Sequence, residues 1–173
     1  MTDLISKENR GSELLAFGFP KNFVENIGNI PELASRVGNT DGAYFYLPTI
    51  SNYKILENQT IVPIYDRGES FYVLASDHES KKIIHFELEN DRIYTDYQQN
   101  WKLLLMDIMI EYFDSKIDDE LSIEKFLYVG DKIGFEAAEK LFELRNLPIE
   151  EYNWKLEQEK QWRIEIAKEL KIL

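Results

Sequence analysis

The sequence predicts an α+β fold: an antiparallel, mostly meander sheet flanked by helices and followed by a C-terminal helical extension. Three observations carry that reading. TIVPIYD (60–66), SFYVLASD (70–77) and KKIIHFELE (81–89) are β-rich runs at close spacing. The links between them are short and polar, one bearing Gly68, and links that short return the chain antiparallel. From residue 98 onward the apolar spacing changes to the helical period.

Taken in order, residues 2–17 read as a loose or helical start. Pro20 opens FPKNFVENIGNIPELASRV, which Gly28 and Pro31 should divide into two short helical pieces. GNTDG (38–42) marks a loop, and AYFYLP (43–48) follows it as an aromatic strand. Trp101, Leu104, Leu105, Ile108, Met109 and Tyr112 recur at helical spacing, so WKLLLMDIMIEYF (101–113) reads as a buried helix lying across the sheet. After Asp118 and Asp119, helical patterns resume in IEKFLYVG, in GFEAAEKLFEL and in one long segment from Pro148. The expected domains are a core over 1–117 and a helical extension over 118–173 packed on it.

Composition narrows the function classes. With 44% hydrophobic and 13% aromatic residues beside 30% charged, the chain can bury a core. Its net charge of -12 argues against a nucleic-acid partner, because phosphate backbones are held by clustered Lys and Arg, and favours a basic one. There is no cysteine, hence no disulfide, thiolate metal site or cysteine nucleophile. MTDLISKENRGSELLAF lacks the pattern of a secretion signal, and the 101–113 run is too short to span a bilayer and contains Asp107 and Glu111. A cytoplasmic protein without a membrane partner is expected.

Few residues offer chemistry. His78 and His85 are the two histidines. In a strand His85 would share a face with Glu87, but no third ligand is identifiable nearby, so neither a metal nor another cofactor is expected. Phosphate-loop, dinucleotide and nucleophile-elbow patterns are missing, and no catalytic residue is assigned; the chain is expected not to be an enzyme. Asp107, in the middle of the most apolar helix, must reach water or find a partner such as Tyr or Arg, which makes it a structural polar residue. HFELEND (85–91) has two readings: the wet edge and turn of a strand, with Glu89, Asn90 and Asp91 forming the turn, or an acidic working surface.

The order of features, FPKNFVENI, an aromatic strand, IVPIYDRGESFYVLASD, KKIIHFELEND and a helix near NWKLLLMDI, resembles the SUKH superfamily of yeast cell-wall synthesis regulators and bacterial immunity proteins. The resemblance covers about residues 10–115. It departs from the family at GNTDG and Pro31, and in the long helical tail. It implies a protein-binding domain that neutralises a cognate toxin, or alternatively a regulatory scaffold for endogenous proteins, with a small ligand-binding protein or hydrolase as the outsider. If binding uses the rim of the sheet, the expected contacts are Asp66, Glu69, Asp77, Glu87, Glu89, Asp91 and Asp96, with Tyr65, Tyr72, Tyr94 and Tyr97.

Overall fold

The computed structural model describes residues 1–34, 40–50, 52–117, 119 and 121–173. The chain forms two compact units, Met1–Trp101 and Lys102–Leu173. Parts of the GNTDG loop, of the segment after Pro31 and of the break at Asp118 lie outside the described residues.

The first unit is built on a five-stranded sheet in the order β1-β2-β3-β4-β5. Its strands are β1 (Asp3–Leu4), β2 (Thr60–Arg67), β3 (Ser70–Ser76), β4 (Lys81–Glu87) and β5 (Asn90–Gln98). Neighbours from β2 to β5 are antiparallel, whereas β1 joins β2 in parallel at Thr60 and Ile61. That parallel pair was not expected from the sequence. Beyond it Pro63, which has no N–H to donate, lies at a register shift in β2. Arg10, on α1 (Lys7–Phe17), covers this stretch: its Nε donates to the Pro63 carbonyl at 2.7 Å and its Nη2 to the Ile64 carbonyl.

Two sequence expectations are corrected here. KKIIHFELEND does not end in a turn at 89–91: the turn is Leu88-Glu89, and Asn90 already pairs with Glu87. AYFYLP is not a strand but most of helix α3 (Gly42–Ile50). Ala43, Tyr46 and Leu47, spaced i, i+3 and i+4, join Leu56, Ile61, Phe71, Val73, Ile84 and Phe86 in the apolar core on one face of the sheet. The start of α3 is fixed from β2, where the buried Asp66 carboxylate accepts the Gly42 N–H at 2.8 Å. An anion there offsets the unpaired N–H groups and positive end of the helix. The FPKNFVENI region forms α2 (Lys21–Asn26), and Pro31 starts a separate 3-10 turn, Pro31–Leu33. A second 3-10 turn, Lys54–Leu56, precedes β2.

The second unit is helical. It holds α4 (Trp101–Ser115) from Lys102 onward, α5 (Ile123–Ile133), α6 (Ala138–Arg145), α7 (Ile149–Leu156) and α8 (Glu159–Glu169). The segment after Pro148 is therefore two helices and not one. Ser122 caps α5 by accepting the Lys125 N–H, and Gly134 ends it in the left-handed conformation, φ 69°. At Gly130 the α5 backbone approaches α6 so closely that an added Cβ would lie 2.6 Å from the Ala138 Cβ. Phe113, Phe126 and Phe142 meet edge-to-face or tilted, with centroids 5.4–5.9 Å apart. No helix among the described residues is long and apolar enough to cross a membrane.

Candidate functional site

Opposite faces of a strand carry alternate side chains, and on the sheet face away from Phe71, Val73 and Phe86 the chain sets an aromatic row across four strands. Tyr65 of β2 stacks on Tyr72 of β3 with centroids 4.3 Å apart. Tyr72 stacks in turn on His85 of β4 at 4.3 Å and 2°. His85 meets Tyr94 of β5 at 5.7 Å. The row ends at Arg92, whose guanidinium lies 4.3 Å from the centre of the Tyr94 ring. Burial falls along it: Tyr65 and Tyr72 are buried, His85 is half-buried and Tyr94 is 37% exposed. Tyr94 is thus the exposed ring of the row.

His85 is held by more than stacking. Its Nε2 lies 3.1 Å from the Ser70 Oγ. Burial lowers its pKa, Glu87 opposes that shift and Arg67 adds to it, so the neutral ring is favoured.

The acids sort by side-chain length. Aspartates bend back onto backbone N–H groups. Asp91 accepts from Lys54 and Ile55 at 2.9 and 3.2 Å, and so caps the second 3-10 turn. Asp96 accepts the Gln98 N–H at 2.8 Å and pairs with Lys82 at 3.0 Å. Asp77 takes the Glu79 and Ser80 N–H groups, both at 2.8 Å, and these hold its carboxyl at about 2. Asp66 is only 4% exposed, and burial pushes its pKa up while the Gly42 and Ala43 N–H groups oppose the shift. Glu69 and Glu89 remain exposed and Glu87 half-buried.

The residues expected on one rim are therefore spread along the sheet from one end to the other. The β2–β3 and β4–β5 turns share an end, joined by Leu88 N–H donating to the Glu69 carbonyl at 2.8 Å. Glu69, Glu87, Glu89 and Asp91 gather there, with Glu87 two residues from His85 along β4. Asp77 lies at the other end, about 20 Å away along β3, and Asp96 lies between, level with Val73 and about 10 Å from Ser70. Of the four expected tyrosines, Tyr65, Tyr72 and Tyr97 are buried and Tyr94 is exposed. Arg92 and Ser70 were not singled out from the sequence; a recognised β5 would have placed Arg92 and Tyr94, two residues apart, on one face.

In the helical unit Asp107 has the arginine partner foreseen as one possibility, in a two-point pair with Arg163. A second polar cluster surrounds Arg145, which is 0% exposed. Its Nη1 donates to both Glu159 oxygens at 3.1 Å and its Nη2 to Asp114 at 2.5 Å, while Tyr152 donates to the same Asp114 oxygen at 2.6 Å. Trp162 lies against the guanidinium at 3.9 Å.

Compared with known proteins, the chain matches no family model, no curated protein and no solved structure.

Proposed function

We propose that the chain is a non-catalytic protein-binding domain of the SUKH kind, acting in the cytoplasm as an immunity protein that binds and neutralises a basic toxin domain. The observation that carries this reading is the exposed Tyr94, backed by an aromatic row on the same sheet whose one end gathers Glu69, Glu87 and Glu89. Aromatic anchors supply most of the energy of such interfaces, and surrounding charge sets orientation and association rate. The net charge of -12 would draw in a basic partner.

The test is a paired capture from the protein's own cells, using the tagged full chain and a Glu69→Lys/Glu87→Lys/Glu89→Lys variant. A basic chain held stoichiometrically by the natural protein, lost from the variant and weakened by salt, supports the reading. Equal capture by both proteins overturns it. Capture of endogenous regulatory proteins would instead favour a scaffold of the cell-wall regulator type. Asp66 and Asp91 are left out of the variant because both hold backbone groups, so reversing them would disturb the fold.

A further inference from the structure

We infer that the Tyr94 ring is a guanidinium-binding site, occupied by Arg92 in the free protein and taken over by an arginine of an extended basic segment on binding. This deepens the proposed function and rests on it. Arg92 and Tyr94 stand two residues apart on β5, both exposed, with the guanidinium 4.3 Å from the ring centre. That contact is itself the demonstration that a guanidinium fits there.

The chemistry of the surroundings selects the occupant. Tyr94 meets His85 in a tilted contact, and His85 in turn stacks on Tyr72, so the ring keeps an aromatic neighbour when Arg92 leaves. Glu87 shares the His85 side of β4, and Glu89 follows in the adjoining turn. These acids make this end of the sheet attractive to a basic segment, and at the ring itself a planar guanidinium stacks on an aromatic face better than a compact ammonium does. Arg92 is held at an exposed site, where a cation–π contact is weak enough to exchange. It acts as an internal competitor that lowers affinity for basic segments and favours those bearing arginine.

The experiment follows amide shifts of the isotope-labelled full chain during titration with the peptide acetyl-GRGRG-amide and its lysine counterpart. The arginine peptide should shift residues 92–95 and bind more tightly than the lysine one. Tyr94→Leu should weaken it about three-fold and Tyr94→Phe should not, because the ring is kept. Arg92→Ala should tighten binding by about the same factor, and this gain should vanish in the Tyr94→Leu background. If Arg92→Ala helps equally in both backgrounds, Arg92 acts through charge alone and the inference is overturned. It is also overturned if the two peptides bind alike or leave residues 92–95 unmoved. In those cases, binding that still falls with Glu87→Gln/Glu89→Gln leaves the acidic reading standing; binding indifferent to both sets of variants removes the two together.

Discussion

Arg163 of α8 closes a two-point fork on Asp107 of α4, with Nε 2.5 Å from Oδ1 and Nη2 2.7 Å from Oδ2. The pair answers the problem that an acid in the middle of the most apolar helix poses. Its side chains are 18% and 25% exposed, so water screens the charges only in part. Charge-assisted bidentate bonds are stronger than single neutral ones. We predict a coupling of about 1–2 kcal/mol in a double-mutant cycle of Asp107→Asn and Arg163→Met, measured by urea unfolding. A coupling indistinguishable from zero would make the fork a surface pair of no consequence.

Arg145 poses a sharper case, because the cation is fully buried between two carboxylates. Removing it leaves Asp114 and Glu159 without their counter-charge, so Arg145→Met should cost about 3–5 kcal/mol at pH 7. Burial raises the Glu159 pKa, and Arg145 opposes that rise; without the arginine the pKa must climb further. A carboxyl with a raised folded pKa stabilises the fold below its unfolded value and loses that contribution as pH rises through the folded one. The variant's deficit relative to the natural protein should therefore be smaller at pH 4.5 than at pH 7. Unfolding midpoints for both proteins across that range check the sign.

His85 gives the opposite slope. Its folded pKa lies below the usual 6.5, chiefly through burial. The stability contributed by the neutral ring is present above the unfolded value and lost as pH falls through the lowered one. His85→Phe keeps a ring against Tyr72 but cannot take a proton. Between pH 7 and pH 5 its stability should fall less steeply than that of the natural protein, and parallel curves would show that the His85 proton is not linked to folding.

What the sequence revealed, and what it hid, follows from the distance over which each element is determined. Strands β2, β3 and β4 were legible because alternation and short polar links are local signals. β5 was hidden because NDRIYTDYQ opens with the turn-favouring Asn90 and Asp91, and its irregular pairing with β4, where register shifts occur at His85/Phe86 and elsewhere, breaks the period of two. α3 was misread because Tyr and Phe favour strands, while the group that fixes its start, Asp66, stands 24 positions away. Asp107 could be recognised as needing a partner, yet nothing nearby named Arg163, 56 positions on. At the candidate site the acids were visible, but their division was not: only the folded backbone shows that Asp77, Asp91 and Asp96 are occupied with N–H groups while Glu69 and Glu89 stay exposed.

The contact between Gly42 and Asp66 makes the last prediction. A Cβ on residue 42 would lie 2.6 Å from Oδ1 of Asp66 and 2.7 Å from its Cγ, closer than atoms tolerate, so Gly42→Ala must push the carboxylate off the start of α3. Loss of an N-terminal cap costs about 1–2 kcal/mol, and Asp66→Ala alone should cost that much or somewhat more, because the residue is buried. The two substitutions act on one contact: with the carboxylate gone there is nothing left for the alanine methyl to strike. The double variant Gly42→Ala/Asp66→Ala should accordingly be less destabilised than the sum of the single ones, by about 1 kcal/mol. Strict additivity in urea unfolding would mean that the close approach at Gly42 does not constrain residue 42 to glycine.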